Sequence, residues 1–396
     1  MSRSADAPAA PRWLQGLLCL DDFEAEARRH LPRPVFGYVA GAAETNQSLR
    51  ANRASFQAWE MVPRVLVDIT PRDTGVELFG QRYAAPFGVA PMGLAALSAY
   101  RGDLVIAQAA QRENIPFVLS GSSLIRLEEV IAVNPGAWFQ AYLPGDDAGI
   151  LALLERVKTA GYRTLVITLD TPAAANRESN LRAGFTIPVR PGPALAWQGL
   201  THPRWLFGTF LRTLLRHGMP HFENSYATRG APILSPHVER NLSDRGHLNW
   251  RHLQMIRRVW GGELVVKGVL DARDARRAAD EGVDGVIVSN HGGRQLDGAA
   301  APLAVLPRIV EACPGIPVML DSGVRRGSDV LKALALGARF VFVGRPFAFA
   351  AAVAGEAGAH RAIDLLRSEV SRNMALMGVL RPEDLDPSHL IPAQRN

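Results

Sequence analysis

The chain has 396 residues, of which 47% are hydrophobic and 21% charged, with a formal net charge of +6. Such a composition suits a large packed core, and so mild a charge gives no argument for nucleic acid, for which the chain also carries no motif. Two cysteines, Cys19 and Cys313, make neither a disulfide framework nor a metal-ligand spacing, so no metal is expected and a reducing compartment is. No apolar run reaches the roughly 18 to 20 residues of a membrane span.

Residues 1–21 read as an N-terminal tail. Its apolar run at 13–20 meets Asp21 and Asp22 at once with no cleavage site, so it is not read as a signal peptide. Residues 22–30 predict a helix opened by an aspartate, with Phe23, Ala25 and Ala27 as its apolar positions. Leu31-Pro32-Arg33-Pro34 breaks it, and Tyr38 follows as an aromatic near a helix end.

From Pro86 onward, short apolar runs alternate with Ala-rich stretches of helical character. The strand candidates are 87–91, 117–120, 138–142, 164–170, 264–267, 285–289, 318–322 and 340–344. Eight β-then-α units predict an α/β fold, a closed (β/α)8 TIM barrel spanning residues 22–390, with its chemistry at the C-terminal strand ends. A doubly wound sheet would typically show a glycine-rich fingerprint after its first strand; Pro91-Met92-Gly93-Leu94-Ala95 stands there instead. The predicted strand ends carry Ser120, Gln140, Tyr142, Thr168, Asp170, Lys267, Ser289, His291, Asp321 and Arg345. Polar residues belong where strands meet water, but lysine, aspartate and histidine beside an apolar core are costly to bury without a purpose.

One connection is far too long. About 179–240 is inserted after the fourth strand, and loops of that length are functional or disordered as a rule. From Ser179 to Phe222 it has no acidic residue, while Arg182, Arg190, Arg204, Arg212 and Arg216 recur. On a helix of about 100° per residue, Leu206, Phe207, Phe210, Leu211, Leu214 and Leu215 share one face, and Thr209, Arg212, Thr213 and Arg216 the other. With Trp197 and Trp205 nearby, this is the pattern of a helix lying in a membrane interface, centred on 191–220. A helix packed on the barrel or on a neighbouring subunit is the alternative.

The sixth strand candidate runs into Ser289-Asn290-His291-Gly292-Gly293-Arg294-Gln295-Leu296-Asp297. Glycines let backbone approach a ligand, His291 can move a proton near neutral pH, and Arg294 offers a planar fork for a carboxylate or phosphate. A lone histidine would read as a satisfied buried one; the cluster favours a site. After the seventh and eighth strands come Asp321-Ser322-Gly323-Val324-Arg325 and Gly344-Arg345-Pro346. Barrels often hold a phosphate at these two loops, which does not name the compound.

The nine-residue stretch resembles the active-site motif of the FMN-dependent L-2-hydroxy acid oxidases and dehydrogenases, and the likeness extends over almost the whole chain. It implies FMN, with the phosphate on Asp321, Ser322, Gly323, Val324, Arg325, Gly344 and Arg345. It implies Lys267 beside flavin N1, where a fixed cation stabilises reduced flavin. Ser120, Gln140 and Thr168 would hydrogen-bond the ring, Pro91, Met92 and Gly93 would lie against it, and Ser289 would join the cofactor set. Arg294 and Arg177 would clamp the substrate carboxylate with Tyr38, His291 would be the base, Tyr142 would lie near the substrate hydroxyl, and Asp170 would hold the histidine and favour its imidazolium form.

The implied reaction is oxidation of a mandelate- or lactate-like L-2-hydroxy acid, with electrons passed to a membrane quinone. A soluble oxidase that makes hydrogen peroxide is the second reading. A non-catalytic FMN- or phosphate-binding barrel is the third, and it should lack part of the set His291, Arg294, Asp170 and Lys267, all of which are present. His202-Pro203-Arg204-Trp205 and Arg216-His217-Gly218-Met219-Pro220 resemble the long loop of the mandelate dehydrogenase branch. That implies a cytoplasmic protein, peripheral on the inner face of the cell membrane. A homotetramer is expected from the family.

Overall fold

The structure is a computed structural model that describes residues 11–190, 192–235 and 245–394. Eight parallel strands form one sheet: β1 (Phe87–Val89), β2 (Val118–Ser120), β3 (Trp138–Ala141), β4 (Thr164–Thr168), β5 (Glu263–Val269), β6 (Gly285–Val288), β7 (Val318–Leu320) and β8 (Phe340–Val343). From β2 to β8 each strand pairs with its neighbour in sequence, and β8 pairs with β1. Between β1 and β2 a parallel bridge joins Val89 to Phe117, and the Val89 N–H donates to the Pro116 carbonyl at 2.8 Å. The sheet thus curls into the expected (β/α)8 barrel.

Strands buried on both faces read as continuous apolar runs, but the two-residue repeat still sorts their side chains. Val118, Trp138, Val166, Val265, Ile287, Met319, Phe340 and Phe342 fill the barrel interior, with Phe79 from a bottom hairpin stacked 5.5 Å from Trp138. Leu119, Phe139, Leu165, Val266, Val288, Leu320 and Val341 face the surrounding helices. Two residues beyond each of six interior positions, on the same face, come Ser120, Gln140, Thr168, Lys267, Ser289 and Asp321, all buried. The barrel is therefore dry below and polar in its top layer. Most strands end one or two residues earlier than predicted, because their polar ends turn out of the ladder to build the mouth.

The first helix, Leu20–His30, begins two residues before the prediction. Asp22 is its N3 residue, accepting from the Leu18 and Cys19 N–H groups at 2.7 and 3.1 Å. Phe23 and Ala27, four residues apart, are buried, whereas Ala25 falls on the far side and is exposed. Residues 11–20 are not a loose tail: Leu14, Leu17 and Leu20 are buried, and Arg361 donates to the Leu17 carbonyl at 3.1 Å. Residues 1–10 of the predicted tail lie outside the described residues.

In the inserted segment, residues 203–217 are helical, but Leu206–Leu211 is a π turn between Pro203–Trp205 and Arg212–His217. The wider turn rotates the residues beyond it, so the predicted polar face does not hold at Thr209. Thr209, assigned to the polar face, is buried, while Phe207 is 65% and Leu215 86% exposed. Trp205 anchors the segment on the barrel by donating from Nε1 to the Leu97 carbonyl at 2.8 Å, and Arg212 stacks on Tyr100 at 3.9 Å. Among the described residues, no helix is long and apolar enough to cross a membrane. Pro191 and residues 236–240 of the predicted insertion lie outside the described residues.

Candidate active site

A cavity of about 790 Å³ opens at the C-terminal ends of the strands. Tyr38, Pro91, Met92, Gly93, Tyr142, Thr168, Arg177, Lys267, His291, Arg294, Asp321, Ser322, Gly323, Val324, Arg325, Gly344 and Arg345 line it. Four expected site residues lie just behind that wall. Asp170 backs His291, Ser289 backs Lys267, and Ser120 bonds Gln140 in the layer beneath.

His291 leaves β6 in a left-handed conformation, φ 58°. Its N–H donates to Ser289 Oγ at 3.0 Å, and the Gly292 N–H donates to Ser322 Oγ at 3.0 Å. Gly293 continues the turn at φ 75°, and a Cβ there would lie 2.7 Å from the Leu49 nitrogen, so only glycine fits. The turn is held from outside by Asp297. Its carboxylate accepts the Ser48 and Thr45 N–H groups, each at 2.9 Å, at the start of the helix Gln47–Gln57. These donors outweigh partial desolvation and keep the Asp297 carboxyl at about 2. Asn290 and Asn52 exchange amide hydrogen bonds of 2.8 and 2.6 Å beneath the loop.

The His291 ring stands between two oxygens: Asp170 Oδ1 is 3.0 Å from Nδ1, and Tyr142 Oη is 3.3 Å from Nε2. A carboxylate accepts the Nδ1 proton, which leaves Nε2 as the basic atom. Desolvation pushes the histidine pKa down and outweighs the upward pull of Asp170, so the net direction is below 6.5. The expected pull of Asp170 towards the imidazolium form is present, and burial opposes it. Asp170 itself is desolvated yet held below its ordinary range by His291 and Lys267. Burial raises the Tyr142 pKa, so its hydroxyl keeps its proton.

Lys267 Nζ lies 2.9 Å from Asp321 Oδ2 and 2.9 Å from Ser289 Oγ. Desolvation opposes its charge, but Asp321 and Asp170 prevail and hold its pKa above the ordinary value. On the opposite wall, Arg294 donates from Nη1 to the carbonyls of Tyr38 and Gly41, both at 2.7 Å. Arg345 donates to the carbonyls of Val39 and Gly41 at 3.0 and 2.8 Å. These carbonyls end the helix Arg33–Ala40, whose negative pole faces both cations. Arg177 donates to the Arg294 carbonyl and to Gln295 Oε1 at 3.1 and 2.9 Å. Desolvation and the neighbouring Arg177 pull the Arg294 pKa down to about 10, and desolvation with Arg294 and Arg325 holds that of Arg345 well below its ordinary value. Cations gathered like this, with only carbonyls beside two of them, call for anions in the cavity.

The residues fit FMN. Gln140 Nε2 and Thr168 Oγ1 are buried polar atoms with no hydrogen-bond partner, and both belong to the top layer of the barrel. Such atoms are costly unless a ligand satisfies them. At Gly323, φ 93°, a Cβ would lie 2.7 Å from the Asn52 carbonyl oxygen. Gly344 precedes the long helix Arg345–Met377, whose N-terminus suits a phosphate beside Arg345 and Arg325.

Sequence reasoning missed three supports. Asn52 lies 238 residues before Asn290 and belongs to no motif. Gln295 lay inside the quoted motif, but its bond to the Asp170 carbonyl, 3.0 Å, needs the fold to be seen. Arg245, on the return of the insertion, stacks over Tyr142 at 4.5 Å and lines the cavity.

Comparison with known proteins gives a consistent result. A family profile described as FMN-dependent dehydrogenase matches residues 27–392. The (S)-mandelate dehydrogenase of Pseudomonas putida is 37% identical over 377 residues, covering 95% of this chain and 94% of that one. An L-lactate dehydrogenase of Ectopseudomonas mendocina is 40% identical over 362 residues, covering 90% and 94%. Among solved structures, monotopic membrane protein (S)-mandelate dehydrogenase superposes with a TM-score of 0.88 at 37% identity, covering 96% of this chain and 100% of that one. A mandelate oxidase with benzoyl-formic acid gives 0.78 at 34% identity, covering 95% and 98%. The protein is therefore an oxidoreductase that uses FMN, and the chain belongs to the FMN-dependent dehydrogenase family.

Proposed function

We propose that this protein oxidises an L-2-hydroxy acid to the 2-oxo acid at the barrel mouth. One observation carries the reading: His291, held by Asp170, faces the same cavity as the arginine pair Arg294 and Arg177. Oxidising a 2-hydroxy acid needs a carboxylate clamp, a base and an electron acceptor. Arg294 and Arg177 take the carboxylate, helped by Tyr38, because a planar fork matches it better than a point charge. That clamp sets the hydroxyl-bearing carbon against His291 Nε2 and Tyr142 Oη. His291 accepts the proton, and Asp170, buried beside it, stabilises the imidazolium so formed. FMN, when bound, supplies the two-electron acceptor. Lys267 is the cation placed for the charge of the reduced ring, with Ser289 and Asp321 fixing its ammonium.

The relatives named for mandelate and lactate support the substrate class, and the monotopic membrane relative supports a peripheral membrane location. In this reading the inserted segment rests on a membrane through Trp197, Leu200, Phe207 and Leu215, each more than half exposed. Electrons pass to a membrane quinone on the cytoplasmic face, and the chain assembles as a homotetramer. The deciding experiment is anaerobic mixing of the yellow enzyme with L-mandelate and L-lactate, followed by a quinone or air. Bleaching of the flavin by the acid supports the reaction, and its absence with every 2-hydroxy acid tried would sink it. Rapid reoxidation by quinone and slow reoxidation by air supports the acceptor. The reverse, with hydrogen peroxide formed, makes the protein an oxidase.

A further inference from the structure

We propose that the substrate's side-chain end is recognised by Arg245, and that the preferred substrates are dicarboxylic L-2-hydroxy acids, with a second carboxylate at the far end. This rests on the 2-hydroxy acid reading above and narrows it. Arg245 lines the same cavity as His291 and Arg294, yet only 8% of it is exposed. Its Nε is buried with no hydrogen-bond partner, and no carboxylate of the described residues pairs with its guanidinium. Its contact is through a face: Cζ lies 4.5 Å from the centre of the Tyr142 ring. Stacking accounts for one face of the guanidinium and leaves its buried Nε–H unsatisfied. Desolvation accordingly lowers its pKa, and among the described residues Tyr142 and Tyr226 oppose it.

The other charges of the cavity are already matched to a partner or to an expected ligand. Lys267 has Asp321, and His291 has Asp170. Arg345 and Arg325 border the phosphate loops, and Arg294 and Arg177 adjoin each other at the carboxylate clamp. Arg190 lines the cavity too, but it is exposed to water. Among the described residues, Arg245 is the buried guanidinium left over. A wall meant for a phenyl or methyl side chain gains nothing from a buried unpaired cation, which is costly to hold there. An acidic group on the substrate removes that cost. It also adds discrimination, because a site built for a polar group rejects the analogue that lacks it.

The test compares acids of equal chain length on the FMN-loaded enzyme: L-2-hydroxyglutarate against L-2-hydroxyvalerate, and L-malate against L-2-hydroxybutyrate. Anaerobic flavin reduction gives kcat/KM for each. Binding of 2-oxoglutarate and 2-oxovalerate is titrated separately by the change in flavin absorbance. In the wild type the dicarboxylate is favoured at least ~10-fold within each pair, and Arg245→Met lowers that ratio by about 100-fold, mostly through KM. Arg245→Lys, which keeps the charge without the fork, retains part of the preference and guards against a folding defect in the first variant. The proposal is overturned if the monocarboxylic partner is favoured in the wild type, or if Arg245→Met leaves the ratio unchanged. If L-mandelate or L-lactate reduces the flavin and none of the four acids does, the proposal is overturned; if L-mandelate and L-lactate fail as well, the 2-hydroxy acid reading itself fails. The product-binding comparison still decides the subsite: equal affinity for the two oxo acids overturns it.

Discussion

The barrel mouth and the inserted segment are both rich in cations, but they hold them differently. At the mouth three cations have fixed neighbours: Lys267 its aspartate, Arg294 and Arg345 the carbonyls that end a helix. In the insertion, Arg204 and Arg216 lie exposed beside apolar residues that are exposed too, such as Phe207 and Leu215. Charge held in place acts on one ligand at one point. Charge on an open apolar surface acts on another surface, and salt weakens it.

The largest expected effect is at the mouth. His291→Ala should slow flavin reduction by about 1,000- to 10,000-fold while the protein stays yellow. Stopped-flow reduction under nitrogen measures it, and a rate within tenfold of wild type would remove His291 as the base. Next is Lys267→Met, which leaves Asp321 buried and unpaired, at a cost of about 3 to 5 kcal/mol. Denaturant unfolding should show that loss, and the flavin midpoint potential should fall as reduced FMN loses its countercharge. An unchanged potential would displace Lys267 from the ring. Arg294→Lys keeps charge but not the fork, so KM for substrate should rise roughly 100-fold with FMN affinity little changed.

The pH profile tests the balance between burial and Asp170. Protonation of His291 removes the base, so kcat/KM should fall as pH drops through its pKa. The net shift of that pKa is downward from 6.5, so the rate should be level by neutral pH. Asp170→Asn removes the upward pull and should move the limb to still lower pH, with a slower plateau. A limb above pH 7 in the wild type would contradict the geometry.

The smallest effect on chemistry, and the sharpest test of the comparison, is in the insertion. Replacing Phe207 and Leu215 by serine should release the protein from anionic vesicles while most activity with a soluble dye is retained. Loss of dye-linked activity would mean that the segment serves the mouth instead. Deleting 191–220 outright is a poorer test, because Trp205 is seated on Leu97 and its loss would open the barrel wall.

The barrel was legible because parallel strands buried on both faces must be apolar throughout, and eight such runs stood out between Pro86 and Gly344. The polar ends of those runs were legible for the same reason, since a lysine or aspartate interrupts them visibly. The helical faces of residues 203–217 were not. A π turn changes the rotation per residue without leaving a signature in the residue types, so a prediction at 100° put Thr209 on the polar face although it is buried.

The sequence by itself determined the eight-strand rhythm and which residues stand at the strand ends, because alternation and burial are local consequences of residue type. It also carried the His291 motif, where glycine and histidine sit together because one turn requires both. Only the tertiary structure decided what surrounds them. Asn52 meets Asn290 across 238 residues, and Asp170 meets His291 across 121. Whether His291 rests neutral depends on how much water the closed barrel removes from it, and whether Arg245 faces an acid depends on how the insertion returns. Neither amount of solvent nor choice of neighbour is a property of the residue that feels it.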